Sequence, residues 1–370
     1  MVPINWMLII IQAFPLPAVN FLHSIRKSKS CPSIPLYYLE HSHNVSKQAY
    51  ILISPIYEYK LGGLEMDEIL KMLPMRIVEQ LNQLPPYQLN EVEEIRIRIN
   101  RPIEVAVKGI PNFLPYIVKE EDALQLLNKI SHFSIYTLEE ELKRGYVTIS
   151  GGHRIGLAGK VILEYGAVKA IRDVSSFNIR IAREKIGIAN RLTPYIYEDG
   201  WPHTMVIGPP QTGKTTLLRD FARIMSGGDK SLPAFKVGIV DERSEIAGSV
   251  SGIPQLTFGH RVDVLDACPK AEGMMMMIRS MSPDILVVDE IGRIEDCEAI
   301  LEAVHAGIKL FMTTHGNSLD EVRNRPILKP LIEMGIFQRF IELSRSDGPG
   351  TISSIKNEKY EEIVEKVRVT

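Results

Sequence analysis

The sequence predicts an α/β protein in which a domain with a parallel β-sheet, residues 204–370, follows a smaller α+β domain, residues 66–190. From Thr204 onward, apolar runs typical of buried strands alternate with helical patterns, which indicates parallel strands joined by crossover helices. Between Met66 and residue 190, helical and strand patterns are mixed without that regularity, which favours an α+β arrangement. The chain has 370 residues, 45% hydrophobic and 24% charged, so it is long enough for two globular domains.

The smaller domain is predicted from four stretches of sequence. The first, "MDEILKMLPMRIVEQLNQL", has apolar residues at helical spacing around a proline, which predicts a helix pair or one kinked helix. The second, "EVEEIRIRINRPIEVAVKG", alternates isoleucine with arginine, as in a strand with one solvated face. The third, "EDALQLLNKISHFSIYTLEEELKRG", predicts helices, and the fourth, "YVTISGGHRIGLAGKVIL", predicts two strands joined by a turn at Gly151-Gly152. Residues 191–203 mix proline, glycine and charge, and we predict a linker there.

The larger domain is predicted as four strands alternating with three helices. The strands are the run that ends at Ile207 and the stretches "KVGIVD", "DILVVD" and "KLFMTT". The helices begin at Lys214 and cover, further along, "AEGMMMMIRSM" and "IEDCEAILEAVHAG". Because ligands bind outside the carboxyl ends of parallel strands, the residues that follow each strand are the candidates for a functional site.

Residues 1–65 differ from the rest, and we predict a non-native or disordered extension, with translation starting at Met66. Gly62 and Gly63 lie a few residues before that methionine. Their codons could be a purine-rich ribosome-binding sequence that has been read as part of the protein. In the alternative, the uncharged stretch from Ile4 to Leu22 is a membrane anchor, since its positive charges follow it rather than precede it. Peptides from residues 1–60 in the native protein would contradict the internal start.

Composition excludes several classes of function. The formal net charge of −2 argues against a protein that coats nucleic acid by bulk electrostatics. The three cysteines, Cys31, Cys268 and Cys297, have no spacing typical of a zinc site or of a disulfide framework. We read them as reduced thiols of a cytosolic protein.

The stretch "GPPQTGKT", Gly208 to Thr215, matches the P-loop pattern at every fixed position. An apolar strand precedes it and a helical pattern follows, so the loop directs backbone N–H groups and a helix N-terminus at phosphates. We expect Lys214 to bind the β- and γ-phosphates of ATP and the Thr215 hydroxyl to be a ligand of Mg²⁺. The predicted nucleotide-binding residues are Gly208, Pro209, Pro210, Gln211, Thr212, Gly213, Lys214, Thr215 and Thr216.

The stretch "DILVVDE" is an apolar run that ends in two carboxylates. Asp289 stands at the end of the predicted strand, where it can hold Mg²⁺ through water. Glu290 follows, and we name it the catalytic base that polarises the attacking water. An ordinary acidic turn after a strand is the alternative for both residues.

Two further strand ends carry candidates for catalysis. "VDERSEI" places Glu242 and Glu245 after a strand, as a second position to orient water or metal or, equally, as a solvated turn. "FMTTHG" places His315 at a strand tip, where it could hydrogen-bond the γ-phosphate or serve the structure alone. Phosphoryl transfer of this type also needs a positive group at the γ-phosphate, often from a neighbouring subunit. The candidate arginines are Arg180, Arg183, Arg279 and Arg293, which the sequence does not rank.

These motifs resemble those of the secretion ATPase superfamily, the hexameric motors of type II and type IV secretion and of type IV pili. The resemblance lies in the order of the P-loop, the acidic box at Asp241 to Glu245, the strand-end carboxylates within "IRSMSPDILVVDEIGR", and His315. Those motors carry a glycine before the catalytic glutamate, where this chain has Asp289, as in general RecA-like ATPases.

Residues 66–370 are also similar to the stage III sporulation protein AA family of endospore-forming bacteria, notably in "EEIRIRINRPIE", "SGGHRIGLAGKV", "SFNIRIARE" and "SPDILVVDEIGR". The resemblance implies a RecA-like P-loop NTPase domain in a homo-oligomer, expected to be a hexamer. It further implies a Mg²⁺-dependent ATPase that is cytoplasmic and peripheral at the inner face of the membrane, in the mother cell. Such an ATPase would energise a transport or channel complex between mother cell and forespore, with integral membrane proteins as partners and no nucleic acid.

Two other functions compete with this one. A RecA-like core also drives nucleic-acid motors, but the chain shows no basic patch interleaved with aromatic residues, which make up 7% of the sequence. A nucleotide-gated scaffold that binds ATP and hydrolyses it negligibly would carry the same P-loop.

Overall fold

The computed structural model describes residues 64–131 and 139–368. The predicted extension, residues 1–65, and with it the possible anchor between Ile4 and Leu22, therefore lies outside the described residues apart from its last two positions. Within the described part, no helix combines the length and the apolar character needed to cross a bilayer.

The first half of the described chain forms a six-stranded antiparallel sheet in the order β3-β2-β1-β6-β5-β4. Its strands are β1 (Val92–Arg98), β2 (Pro102–Val107), β3 (Ile110–Ile117), β4 (Tyr146–Ile149), β5 (His153–Glu164) and β6 (Ala167–Arg180). Its helices are α1 (Leu64–Met72), α2 (Met75–Leu81), α3 (Pro86–Leu89), α4 (Glu120–Ile130) and α5 (Glu139–Arg144). A 3-10 turn, Ser150–Gly152, joins β4 to β5.

The predicted amphipathic patterns explain this layer. Pro74 lies between α1 and α2, which resolves the predicted kink as a helix pair. Ile95 and Ile97 of β1 are fully buried, while Arg96 and Arg98, which alternate with them, are partly exposed, as period-2 alternation requires. The apolar faces of α1, α2 and α4 pack with these isoleucines in one core.

The second half forms an eight-stranded sheet in the order β14-β13-β12-β7-β11-β10-β8-β9. Its strands are β7 (Thr204–Ile207), β8 (Val237–Asp241), β9 (Val262–Asp266), β10 (Ile285–Val288), β11 (Lys309–Thr314), β12 (Arg339–Ser344), β13 (Thr351–Lys356) and β14 (Glu362–Arg368). The helices of this half are α6 (Thr193–Ile196), α7 (Lys214–Gly227), α8 (Lys270–Ser280), α9 (Ile294–His305), α10 (Leu319–Arg323) and α11 (Lys329–Glu333).

Six neighbouring strands of this sheet are parallel, in the spatial order β12-β7-β11-β10-β8-β9. The sequence predicts four of them, β7, β8, β10 and β11. Four strands of this sheet have no clear apolar pattern in the sequence and are not predicted from it: β9, β12, β13 and β14, of which β13 and β14 are antiparallel to their neighbours. Charged residues inside these strands interrupt the apolar pattern by which a buried strand is recognised in the sequence. In β12, buried Glu342 is paired with Lys356 of β13, with 3.1 Å between Oε1 and Nζ, so a charge that reads as surface in the sequence lies inside.

The stretch predicted as a linker packs into the core of the large sheet. Leu192, Ile196 and Trp201 are almost fully buried, and Trp201 stacks edge-on against Phe221 of α7, with ring centroids 6.1 Å apart. Residues 187 and 189, which precede this stretch, donate their backbone N–H groups to the carboxylate of Asp220 on α7. Short 3-10 and helical turns, separated by proline and glycine, make this stretch look like loop in the sequence.

Candidate active site

The carboxyl ends of four adjacent parallel strands converge on one site. The P-loop follows β7, Glu242 follows β8, Asp289 and Glu290 follow β10, and His315 follows β11. The spatial order β7-β11-β10-β8 places the His315 position between the P-loop and the two acidic strand ends. This is the edge of the sheet at which α/β proteins bind ligands.

The P-loop has the backbone geometry of a phosphate cradle. Gln211 and Gly213 have positive φ angles, 62° and 91°, which turn the chain sharply before α7 begins at Lys214. At Gly208 a Cβ atom would lie 2.6 Å from the Thr212 hydroxyl oxygen, so the loop closes only around glycine. The loop therefore brings the N-terminus of a 14-residue helix to the site, with its unpaired N–H groups directed at a ligand.

Lys214 is a buried cation, 5% exposed. Its Nζ donates to the carbonyl oxygens of Gly208 at 2.8 Å and Pro209 at 3.0 Å, and lies 3.2 Å from Nδ1 of His315. Burial lowers the pKa of Lys214, while the carboxylates of Asp289 and Glu290 act in the opposite direction. An ammonium held this way inside the loop is suited to bind phosphate oxygens.

Thr215 and Asp289, which the sequence predicts as ligands of Mg²⁺, are in direct contact. The Thr215 hydroxyl donates to Oδ2 of Asp289 at 2.6 Å, and the Thr313 hydroxyl of β11 donates to Oδ1. A hydroxyl and a carboxylate in contact beside a phosphate cradle fit Mg²⁺, which prefers oxygen ligands. Among the described residues, no group of three or more His, Cys, Asp or Glu side chains is arranged to hold a metal ion. Mg²⁺ commonly keeps several waters and takes further ligands from phosphate, so one hydroxyl and one carboxylate suit it.

Glu290 is held between two basic side chains. Oε1 lies 2.9 Å from Nε2 of His315, and Oε2 lies 3.1 Å from Nη1 of Arg243. Its backbone has a φ of 53°, an uncommon conformation for glutamate, and its N–H donates to the Thr313 hydroxyl at 2.9 Å. The side chain is 24% exposed, so water can reach the carboxylate.

Glu242, the second predicted acidic position, is paired with a lysine that the sequence analysis missed. Oε2 of Glu242 lies 3.2 Å from Nζ of Lys270, the first residue of α8, and Oε1 lies 3.9 Å from Nη1 of Arg293. A cavity of about 10 Å³ lies at this point, close to the smallest volume that holds one water molecule. Its lining residues are Asp241, Glu242, Arg243, Glu245, Lys270, Asp289 and Glu290.

Asp241 shapes the acidic turn rather than facing a ligand. Its carboxylate accepts hydrogen bonds from the backbone N–H groups of residues 245, 246 and 247, at 2.8 to 2.9 Å. Burial nevertheless raises the pKa of Asp241 to about 6. These three hydrogen bonds fix the backbone of the turn that carries Glu242 and Glu245.

The acidic turn contacts the antiparallel sheet. The carboxylate of Glu245 pairs with the guanidinium of Arg154 on β5. Beside this pair, Gly248 of the turn packs against Gly152, and both have positive φ angles, 57° and 73°. A Cβ atom on Gly248 would lie 2.9 Å from the Cα of Gly152, so the two turns meet backbone to backbone.

The structure separates the arginine candidates. Arg180 is exposed on β6, directly across from Arg154. Arg183 donates to the carbonyl oxygens of Asn90 and Val92, which ties it to the antiparallel sheet. Arg279 lies in the last turn of α8, about 14 Å along the helix axis from Lys270, so it is outside this chain's own site.

Two arginines at the site escaped the sequence analysis as candidates for a charge at the γ-phosphate. Arg243 pairs with Glu290 and is 56% exposed. Nη2 of Arg345, in the loop after β12, donates to Oε1 of the P-loop residue Gln211 at 2.8 Å. Neither lies in a recognisable pattern, although Arg243 follows two acidic residues at the end of a predicted strand.

Comparison with solved structures supports the fold. The chain resembles the pilus retraction motor PilT with bound ADP (TM-score 0.50, 18% identity, 72% of this chain and 77% of that one). It also resembles the ATPase DotB of Yersinia pseudotuberculosis (TM-score 0.51, 13% identity, 89% of this chain and 85% of that one). The predicted fold class, a RecA-like P-loop NTPase domain preceded by a smaller α+β domain, is confirmed.

Comparison of sequences identifies the family to which the chain belongs. It is 59% identical over 290 residues to stage III sporulation protein AA of Bacillus subtilis (strain 168), which covers 78% of this chain and 94% of the relative. It is 30% identical over 162 residues to an uncharacterized ycf45 protein of Cyanidium caldarium, which covers 43% of this chain and 46% of that protein. The family model described as "Sporulation stage III, protein AA" matches residues 65–363. The predicted resemblance is confirmed, and the chain belongs to the family of sporulation stage III protein AA.

Proposed function

We propose that this protein hydrolyses ATP in a Mg²⁺-dependent reaction and uses the energy to drive a sporulation transport or channel complex between mother cell and forespore. One observation carries the enzymatic part of the proposal. Lys214, the pair of Thr215 and Asp289, and the pair of Glu290 and His315 meet at one edge of the sheet, linked by direct contacts. Phosphoryl transfer needs these elements together: a cation for phosphate, oxygen ligands for a metal, and a base for water.

ATP would bind through the P-loop. The backbone N–H groups of residues 211–215 would donate to phosphate oxygens, and the ammonium of Lys214 would exchange its contacts with the carbonyl oxygens of Gly208 and Pro209 for contacts with phosphate. Thr215 and Asp289 would hold Mg²⁺, whose charge stabilises the phosphate oxygens when it is bound. The predicted Thr216 follows in the first turn of the helix, where its backbone N–H is one of the unpaired donors.

Glu290 would act as the base. Its carboxylate accepts the proton of the attacking water, and the water then attacks the γ-phosphorus and displaces ADP. His315 links this base to the phosphate-binding cation. Since an ammonium only donates and a carboxylate only accepts, a neutral His315 that carries its proton on Nε2 satisfies both contacts, Lys214 to Nδ1 and Nε2 to Glu290. A contact between Lys214 and the γ-phosphate would thus be transmitted to the base.

The assembly and its place in the cell are part of the same proposal. We propose a hexamer in which an arginine of one protomer reaches the γ-phosphate held by the next, with Arg180 and Arg183, two of the four arginines named from the sequence, as the candidates. Arg180 is the stronger of the two, because it is exposed while Arg183 is bonded to backbone carbonyls. The ring would lie in the cytoplasm at the inner face of the membrane, where integral membrane proteins receive the motion. The support for this setting is the family to which the chain belongs.

A phosphate-release assay on the full chain tests the proposal. We expect the wild-type protein to release phosphate from ATP in the presence of Mg²⁺, faster per protomer as protein concentration rises, and to stop when the metal is chelated. Lys214→Ala should reduce the rate to background, whereas Lys230→Ala, a change at an exposed lysine, should leave it intact. A protein that binds ATP but hydrolyses it at the rate of free solution, with or without membrane fractions, would be a nucleotide-gated scaffold.

A further inference from the structure

Lys270 occupies an unusual position beside the proposed active site. It is the first residue of α8, is 7% exposed, and belongs to no motif of the sequence analysis. Its Nζ donates to the backbone carbonyl oxygen of Glu290 at 2.6 Å and lies 3.2 Å from Oε2 of Glu242. One ammonium therefore connects the residues that follow β8 and β10.

This position is costly for a cation. A buried ammonium loses its hydration, and the N-terminus of a helix is the positive end of the helix dipole, which repels a positive charge. The carboxylate of Glu242 and the carbonyl of Glu290 compensate for both effects. Because well-packed apolar residues at a buried site are often as stable as an ion pair, stability alone gives little reason for a lysine here.

The contact with Glu290 has a geometric consequence. The backbone of Glu290 has a positive φ, and it is held from two sides, by Lys270 at the carbonyl and by the Thr313 hydroxyl at the N–H. These two bonds fix the peptide planes on either side of the Glu290 Cα. They thereby fix the direction in which its side chain leaves the backbone, toward Nε2 of His315.

The contact with Glu242 has an electrostatic consequence. Glu242 and Glu290 line the same small cavity, and two free carboxylates there would repel each other. Lys270 neutralises Glu242 and holds it, while the carboxylate of Glu290 faces His315 and Arg243 instead. The two acidic residues thus have different surroundings, which distinguishes the base from its neighbour.

We propose that Lys270 is a positioning residue for ATP hydrolysis: it holds the backbone of Glu290 in the conformation that aims the base, and it withdraws Glu242 from that task. This inference rests on the proposed ATPase function. It assigns no contact between Lys270 and the nucleotide, so its loss should affect the chemical step rather than nucleotide binding.

The test compares Lys270→Met, Lys270→Arg and, as a control, the exposed Lys230→Met in the full chain. For each variant kcat and KM for ATP, the dissociation constant for ADP and the melting temperature are measured. We expect Lys270→Met to lower kcat by about 10²-fold, because a displaced catalytic group costs about that factor, with less than about a threefold change in KM and in ADP affinity. Lys270→Arg keeps a buried cation and should therefore retain most of the wild-type kcat. Lys230→Met should have the kcat of the wild type.

A folded Lys270→Met variant with wild-type kcat overturns the inference, as does one that loses ADP affinity by the same factor as kcat. If Lys270→Met does not fold, Glu242→Gln/Lys270→Gln removes both charges of the buried pair and takes its place, measured against Glu242→Gln alone. The double variant is expected to be the slower, because only it loses the bond to the Glu290 carbonyl, and equal rates overturn the inference. A wild-type chain without ATPase activity overturns the proposed function and this inference together, whereas an active wild type beside an equally active Lys270→Met overturns the inference alone.

Discussion

Oε1 of Glu290 and Nε2 of His315 lie 2.9 Å apart, although 24 positions of the sequence separate them. The contact forms because β10 and β11 are parallel neighbours in register, so the residues that follow them leave the sheet side by side. It joins the proposed base to a ring whose other nitrogen lies 3.2 Å from the P-loop lysine.

Glu290→Gln should bind ATP with wild-type affinity and hydrolyse it about 10² to 10⁴ times more slowly, the range that a positioned general base contributes. The glutamine keeps the size of the side chain but cannot take a proton from water. Single-turnover phosphate release, together with ATP binding at equilibrium, measures both quantities. Glu302→Gln, at an exposed position of α9, is the control. Normal turnover by Glu290→Gln beside an inactive Glu242→Gln would transfer the base assignment to Glu242.

His315→Ala should lower kcat less than loss of the base does, by about tenfold, since the ring orients Glu290 but takes no proton from water. It should also reduce the difference in affinity between ATP and ADP, because the link from Lys214 to Glu290 is lost. Steady-state kinetics with ADP as competitor measures both effects. The matched control is His305→Ala at the exposed end of α9. Unchanged kcat and unchanged discrimination would leave His315 with a purely structural role.

Asp289→Asn should raise the Mg²⁺ concentration needed for half-maximal activity, because an amide binds a divalent cation more weakly than a carboxylate does. The exposed Asp320→Asn should not change that concentration. A titration of the ATPase rate with Mg²⁺ at fixed ATP is the measurement. Identical titration curves for wild type and Asp289→Asn would place the metal ligands elsewhere.

His203 should make stability depend on pH. Burial lowers its pKa from 6.5 to about 4, and Nδ1 accepts a hydrogen bond from the Leu310 N–H at 3.2 Å. Between these two pKa values the unfolded chain binds the proton and the folded chain does not, so this contribution to stability is complete above pH 6.5 and is lost as the pH falls toward 4. The loss amounts to roughly 3 kcal/mol.

Denaturant unfolding at several pH values measures the effect of His203. His203→Asn keeps an acceptor without a titrating ring, so the free energy of unfolding of this variant should fall less between pH 6.5 and 4 than that of the wild type. His260→Asn, at an exposed position, should keep the wild-type dependence. Equal slopes for wild type and His203→Asn would contradict the burial argument.

The grouping of most candidate site residues is predictable because these residues follow strands with strong apolar patterns. The P-loop, Asp289, Glu290 and His315 each come directly after a stretch of four to six buried residues, and parallel pairing brings such ends together. Lys270, Arg243 and Arg345 were missed for a different reason. Each acts through a contact with a residue distant in sequence or on a loop, and no local pattern records such a contact.

A related reason explains why some strands are not predictable from the sequence. β9 and β12 carry charged residues at positions that the apolar-run criterion treats as exposed. In β12, Arg339 and Glu342 are both buried, and Arg339 pairs with Glu198 from the segment predicted as a linker. A charge whose partner lies more than a hundred residues away cannot be recognised as internal from its own neighbourhood.

The backbone contact between Gly152 and Gly248 restricts the sequence at both positions. Both residues have positive φ angles, and a Cβ atom on Gly248 would lie 2.9 Å from the Cα of Gly152. An alanine at residue 248 would therefore force the turn that follows β8 away from the turn that joins β4 to β5. The composition of the acidic turn is thus constrained by the antiparallel sheet as well as by the candidate site, and the ion pair of Arg154 and Glu245 lies at the same contact.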